Sequence, residues 1–578
     1  MFKKILFLLL FQVVCVVGQA ATLAEGVELS RLPALPGQKS HGYRACNFLV
    51  VNRNPREHKL ELSLSANVNW GASYTLNNVR KTSIIPPSSA VKITLYWPCM
   101  SFHSPNLSAY LDGRRFSHNE LGINLALSNN NTGSNILVTK AMPGNIMKYY
   151  NSQNAVFGKG YDSNYSASYW YSDLPAEQWY SNWLLYGGYD AIMITARELK
   201  DAPKNVRLAL EQYVRLGGVM VIYTGDKKNR AQKRIRQENV GFGIKCFISV
   251  EPEKLKKAEW HMLIGNAAGT KNTLFQPLST NGSDANNKFK VTKDVEIPVR
   301  SLFLLMLVFA ILIGPLNFYI LYRRKKRIWL LWTSPLIALA FASVVIGYSF
   351  YSEGWYSRTR LKSFTFLDEN SRTASTLGVV AYYCPIVPWS GFMFSNHTEV
   401  QPVFARDRYG QSNTRYSAAI DLTRGQNLIS GWVHSRIPTH MTLRKGETRR
   451  ERLQVVKRSG NSLEVVNGLG AEIKSLELMD FNGKKYISLE AIAPGKKAVL
   501  HLKSGRPDKN FKQTLRDKFR SDWMDSKSLI FYNKYPLAKG TYCAKLKKSP
   551  FISPGMKKGE LREECAVVGR MAAGGDVK

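Results

Sequence analysis

The stretch that decides the architecture reads SLFLLMLVFAILIGPLNFYILY (301–322), RRKKR (323–327) and IWLLWTSPLIALAFASVVIGYSF (328–350). The first part has 22 residues without a charge and the last has 23, each near the roughly 20 that carry a helix across a bilayer core. Residues 301–322 and 328–350 are therefore expected to be transmembrane helices joined by a basic turn. Lys and Arg beside a span resist translocation. Arg323, Arg324, Lys325, Lys326 and Arg327 thus place the turn in the cytoplasm and both flanks on the far side. Tyr322, Trp329 and Trp332 then fall at the inner interface, and Tyr348, Tyr351 and Trp355 at the outer one.

Residues equally far from Lys325 share a depth in an antiparallel hairpin. Asn317 and Thr333 are each eight residues away, Pro315 and Pro335 each ten. An amide in hydrocarbon is costly unless it is bonded. Asn317 is expected to reach Thr333 or Ser334, or the carbonyl released by Pro315, with Gly314 and the two prolines shaping the packing surface. The same amide could instead receive a helix from a partner protein.

Residues 1–20 carry Lys3 and Lys4, an apolar run from Ile5 to Val17, and small residues at Gly18 and Ala20. This is the pattern of a cleavable secretory signal, with Ala21 as the expected mature start. The chain of 578 residues has a formal charge of +38. Losing Lys3 and Lys4 leaves 38 − 2 = +36. Outside the cytoplasm such a balance suits anionic lipid headgroups or acidic envelope polymers, or a solvated basic surface, and not nucleic acid. The expected location is the bacterial inner membrane, with both large regions periplasmic. An oxidising compartment favours disulfides, and proximity in sequence favours Cys46 with Cys99 and Cys543 with Cys565.

Residues 26–133 read as all-β. Leu60, Leu62 and Leu64 alternate with polar neighbours, as do Val91, Ile93 and Leu95, and Asn54-Pro55, Pro86-Pro87 and Asp112-Gly113 mark turns. Short half-buried strands with such turns favour an immunoglobulin-like (Ig-like) β-sandwich. From 134 to 292 the pattern changes. Ile136-Leu137-Val138, 190–195 and 219–224 read as buried strands, and Val206, Leu210, Tyr213 and Val214 define a helix face that ends at Gly217-Gly218. Strand, helix and strand with short joints imply a parallel α/β sheet.

The run YDAIMITARELKDAPKNVRLALEQYVRLGGVMVIYTGD (189–226) resembles the core of class I glutamine-amidotransferase-like domains found in extracytoplasmic parts of bacterial membrane proteins and ABC-transporter auxiliary proteins. The hairpin, with Gly-Pro-Leu-Asn before its basic residues and a second proline after them, resembles the hairpin of the same proteins. The resemblance implies a flavodoxin/amidotransferase-like α/β domain. Active members carry a Gly-x-Cys-x-Gly turn after the strand. Thr224-Gly225-Asp226-Lys227-Lys228 stands there, so this domain is expected to be degenerate. Cys246 and His261, its one cysteine and one histidine, lie outside that turn.

Ahead of that core, Tyr169, Trp170, Tyr171, Trp179 and Trp183 form an aromatic-rich segment. It could stack on sugar rings or pack against a neighbouring domain. After the hairpin, 352–451 is β-rich, and 452–504 echoes the first domain: LVVN ending at Asn52 recurs as EVVN ending at Asn467, and IPPSSAVKITL from Ile85 recurs as IAPGKKAVLHL from Ile492. A second Ig-like sandwich is expected there, followed by a C-terminal α+β segment (505–578) with a helix near 508–521. The chain has no zinc-protease HExxH, serine elbow, phosphate loop or dinucleotide fingerprint, and no cofactor is implied.

The reading that follows is a non-catalytic, membrane-anchored envelope protein that binds a partner protein or complex, with a role beside an ABC-type exporter as its narrower form. The rival is a hydrolase, transferase or binding module for envelope glycans or other anionic polymers.

Overall fold

The computed structural model describes residues 20–98, 106–143, 167–225, 234–256, 285–292, 299–403, 416–503 and 539–572, together with 259 and 263. Short gaps fall at 25, 37–41, 66–73, 122, 124–133, 287–288, 354–355, 460, 489 and 557–558. The fold is β-rich, with several sheets and two long apolar helices. Residues 1–19 of the expected signal peptide and the helix near 508–521 lie outside the described residues.

The strands Ala20–Ala24, Val27–Arg31, Tyr43–Asn52 and Ser89–Pro98 make a four-stranded antiparallel sheet. Against it lies a seven-stranded sheet centred on His58–Ser65 and Tyr74–Ile85. Leu60, Leu62 and Leu64 are wholly buried, as their alternation requires. Three strands of this second sheet, Phe392–Phe394, Tyr416–Asp421 and Gln426–Ser430, come from beyond the hairpin. Tyr416–Asp421 runs parallel to Tyr74–Ile85, with Tyr416 opposite Tyr74 and Asp421 opposite Arg80. Residues 26–133 are thus not a self-contained sandwich.

The α/β sheet has the spatial order Ala167–Ser172, Ser134–Thr139, Ala191–Thr195, Val219–Tyr223, Gly243–Ile248, Ile235–Val240. The first five are parallel, and Ile235–Val240 is an antiparallel edge. In chain order the parallel strands read 2-1-3-4-5, so the winding reverses beside Ser134–Thr139. Val219–Tyr223 is apolar throughout because both its faces are covered. The helix Lys204–Arg215 buries Val206, Ala209, Leu210, Tyr213 and Val214. It ends at Gly217, whose φ of 113° suits glycine. Gly218 follows it, and a Cβ there would lie 2.3 Å from the Tyr213 ring.

The largest sheet has eleven strands. At its centre Arg358–Asp368 pairs antiparallel with Thr373–Tyr383 and parallel with Glu560–Arg570. The five strands between Arg452 and Leu502 belong to this sheet, and Ile473–Met479 pairs with Thr541–Leu546. Residues 452–504 therefore do not stand alone either. Their core includes Leu463, Val465 and Leu478 and continues into Tyr542, Ala544 and Val567.

The repeated Asn motif forms one kind of corner twice. Asn52 and Asn467 are both wholly buried. Asn52 accepts from Asn54 N–H (2.9 Å) and donates to the carbonyls of Arg56 (2.8 Å) and Pro86 (3.0 Å). Asn467 accepts from Leu469 N–H (3.0 Å) and donates to Ala471 (2.8 Å) and Ile492 (2.8 Å).

The hairpin does not divide two separate cores. One apolar cluster runs from Ala21 to Ile552 and mixes Phe48, Trp97 and Trp183 with Tyr382, Val400 and Trp432. The hairpin itself comprises Val299–Ile311, a π-helical turn Leu312–Leu316, Asn317–Arg323, a 3-10 turn Arg327–Trp329 and Leu330–Glu353. Two stretches, Phe303–Arg323 and Arg327–Gly347, are long and apolar enough to cross a membrane, with mean hydropathies of 2.4 and 2.0. Pro315 lacks an N–H and crowds the carbonyl one turn earlier, and the wider π turn absorbs that defect.

Candidate functional site

Three regions gather polar or aromatic side chains. The first is the seam between the two halves. Trp183 is fully buried and donates its indole N–H to the carbonyl of His397 at 3.1 Å. Trp179, 4 % exposed, donates to Leu174 O at 3.0 Å. Trp170 is half-buried and donates to Asn135 Oδ1 at 3.2 Å. Tyr169 and Tyr171 share its edge strand, and Tyr171 packs against the α/β core. Trp179 and Trp183 thus present no face to a sugar ring, which corrects the stacking alternative for these two. Trp183 is covered by the second half through His397 and Arg444, and Trp179 packs beside Tyr186 within its own domain.

Arg444 lies over the Trp183 ring at 5.6 Å, donates to Leu216 O at 3.1 Å and pairs with Glu399. Both charged side chains are buried. Burial raises the Glu399 carboxyl, opposed by the Arg444 charge, and burial lowers Arg444. Next to them the Tyr43 hydroxyl donates to Gln426 Oε1 at 2.8 Å and accepts from Val400 N–H at 3.0 Å. Neither Glu399, Arg444 nor Gln426 stands out in the sequence, because their partners lie tens to hundreds of residues away.

The second region is a cleft of about 470 Å³ at the carboxyl ends of the parallel strands, lined by Glu177, Thr195, Glu198, Asp201, Tyr223 and Thr224 among others. Crevices at this edge are where open α/β sheets hold ligands. Two lining groups already serve the fold. Thr195 caps the helix Ala196–Asp201 in a reciprocal box with Glu198. Thr224, directly after the strand Val219–Tyr223, donates its hydroxyl to Ile248 O at 3.2 Å. Cys246 is fully buried in Gly243–Ile248, and burial pushes its thiol up to about 12, so it is poorly suited to attack. His261 lies outside the described residues. Among the described residues no three His, Cys, Asp or Glu side chains gather as metal ligands.

The third region is the hairpin. Asn317, 6 % exposed, donates to Thr333 Oγ1 at 3.0 Å and to Ser334 Oγ at 3.4 Å. Phe309 and Phe341, each sixteen residues from Lys325, lie 4.8 Å apart. The helices therefore align about Lys325, whose φ of 56° closes the turn. Arg327 sits over Tyr322 at 4.6 Å and Lys326 near Trp329 at 5.8 Å, while Arg323 and Arg324 face outward. Pro335 lies inside the helix Leu330–Glu353. A Cβ on Gly314 would meet nothing within 4 Å, so Gly314 does not mediate close contact between these two helices.

The expected Cys543–Cys565 disulfide is absent. The two strands are neighbours, but Cys543 opposes Val568 and Cys565 opposes Leu546. A three-residue offset puts the thiols on opposite faces of the sheet. Cys46 is buried opposite Leu95, and Cys99 lies outside the described residues.

No family model matches the chain, and no curated protein does. Two solved structures of the yeast delta-COP-I mu-homology domain are similar over 36 % of this chain. One is a complex with a Dsl1 WxWxV peptide, with TM-score 0.16, 7 % identity and 95 % of that chain covered; the other has TM-score 0.17, 10 % identity and 94 % covered. Likeness at that level carries no argument about fold or function.

Proposed function

We propose that the chain is a non-catalytic, membrane-anchored envelope protein whose two large regions lie together on the extracytoplasmic side and bind a partner protein or complex. An accessory place in an ABC-type export system is the narrower form of this reading. The pairing of Tyr416–Asp421 with Tyr74–Ile85 carries it. Strands that share hydrogen bonds share a compartment, so the segments before and after the hairpin belong on one side. The basic turn is left on the other, and such a turn favours the cytoplasm. A turn of that size cannot hydrolyse ATP, so an exporter's ATPase would be another chain.

The 2-1-3-4-5 strand order supports the flavodoxin/amidotransferase-like reading of 134–292. The twin Asn corners support two related β-units, read as Ig-like. The engagement of Thr224 with Ile248 O supports a domain used for binding rather than acyl transfer. Crosslinking and mass spectrometry in native membranes tests the proposal. Reproducible neighbours on the extracytoplasmic regions, an ATPase-bearing complex among them, are the expected result. A chain that runs only as an isolated monomer without crosslinked neighbours would overturn it.

A further inference from the structure

The eleven-stranded sheet has one end that both membrane helices approach. The helix Leu330–Glu353 is followed five residues later by the strand Arg358–Asp368, in which Arg358 pairs with Tyr383. Tyr382 in turn pairs with Thr439. The loop after Tyr383 and the loop before Thr439 therefore emerge where the chain leaves the second helix. They are joined to each other: Cys384 bridges Ser435, and Arg436 N–H donates to Cys384 O at 2.8 Å. The approach to the first helix arrives at the same end. Arg360 donates to Lys290 O at 3.1 Å and lies over the Phe289 ring at 4.5 Å, and His440 contacts Phe289 O at 3.0 Å.

This end carries large apolar groups that the fold leaves uncovered. Trp389 is 98 % exposed, Tyr356 76 %, Ile386 50 % and Ile437 47 %. Trp389 is held out by a short, constrained turn. Gly391 N–H donates to Pro388 O at 3.1 Å, and Gly391 has φ 68° with no room for a Cβ, which would lie 2.4 Å from Leu428 O. Trp and Tyr concentrate at the headgroup level of bilayers, where an apolar ring and a polar tip are both accommodated. Arg436 is exposed beside them, suitably charged for lipid phosphate.

We propose that Tyr356, Ile386, Trp389 and Ile437 form a rim that seats in the lipid interface of the same bilayer the hairpin crosses, so that the large sheet stands on the membrane rather than swinging from a tether. The inference rests on the membrane reading of the hairpin. Lipid is the occupant because the rim adjoins the point where the chain leaves the second helix.

The test uses the full chain reconstituted in phosphatidylethanolamine/phosphatidylglycerol vesicles, with an environment-sensitive fluorophore on Trp389→Cys, on Leu339→Cys within the second helix, or on Ser371→Cys. Ser371 lies in the turn at the far end of the same hairpin of strands. The wild-type chain carried through labelling gives the background. A lipid bearing a shallow nitroxide should quench positions 339 and 389 several-fold more than position 371, and iodide should do the reverse. Quenching at 339 with position 389 as open to iodide as 371 would overturn the rim and leave the anchor standing; that is also the result expected if a protein partner covers Trp389. Absence of lipid quenching at 339 would overturn the membrane reading and the rim with it.

Discussion

Asn52 and Asn467 occupy equivalent corners 415 residues apart, each binding the N–H two residues ahead and the carbonyl four residues ahead. Each also ties its strand to the start of a later one, through Pro86 or Ile492. Ser88 and Gly495, in matching places of the repeat, both have left-handed backbones, with φ 47° and 72°. Replacing either Asn by Leu strands buried polar groups at about 1–3 kcal/mol each. Asn52→Leu and Asn467→Leu should each lower unfolding stability in detergent by several kcal/mol, and the two losses should add because the corners do not touch.

If the hairpin spans the bilayer as proposed, the Asn317–Thr333 bond falls among membrane-phase couplings, which average about 0.6 kcal/mol with an upper range near 1.7. A double-mutant cycle with Asn317→Leu and Thr333→Val should return a coupling in that range. Partner association measured on the same variants separates the two readings of this amide. Stability loss with association unchanged assigns it to the hairpin alone. Lost association with unchanged stability assigns it to docking.

Glu399 and Arg444 answer to each other inside the seam. Removing one partner of a buried pair costs about 3–5 kcal/mol, whereas replacing both by apolar residues of similar volume is often neutral. Glu399→Leu should therefore loosen the packing of the two halves, read as faster proteolysis and a lower Tm. Adding Arg444→Met should recover most of the loss.

His397, His434 and His440 are all held below the usual histidine range by burial. The folded state therefore favours neutral rings. Below about pH 6.5 the unfolded chain takes up protons that the folded chain refuses, so stability is full above that pH and falls as pH drops toward the depressed folded values. His440→Gln removes one titration while keeping an N–H donor for Phe289 O. Thermal unfolding from pH 8 to 5 should show a shallower acid decline for that variant than for the wild type, a difference in which the carboxylates common to both cancel.

Cys46, Cys246 and Cys565 should behave as buried thiols. Burial pushes Cys46 and Cys565 up to about 11 and Cys246 to about 12. Alkylation of these three at pH 8, read by peptide mapping, should be slow until the protein is unfolded. Peptide mapping without reductant should find no Cys543–Cys565 crosslink.

The local features of the chain were legible in its residues. Two uncharged runs around five cations mark the hairpin, equal spacing from Lys325 places Asn317 level with Thr333, and alternation marks the faces of strands such as His58–Ser65. The Val206, Leu210, Tyr213 and Val214 face with its glycine stop marks a helix. These depend on hydropathy, turn chemistry and periodicity within a few residues.

What only the tertiary structure decided is which strands become neighbours. Nothing around Tyr416 announces Tyr74 as its partner, and nothing around Trp183 announces His397. Strand pairing and burial are set by complementary surfaces far apart in the chain, and a three-residue register offset is enough to put Cys543 and Cys565 on opposite faces. The sequence by itself thus determined the pair of long apolar helices and the other local elements. The tertiary structure decided that the segments on either side of the hairpin share one core and one sheet, because each leaves sheet edges and apolar faces that the other covers.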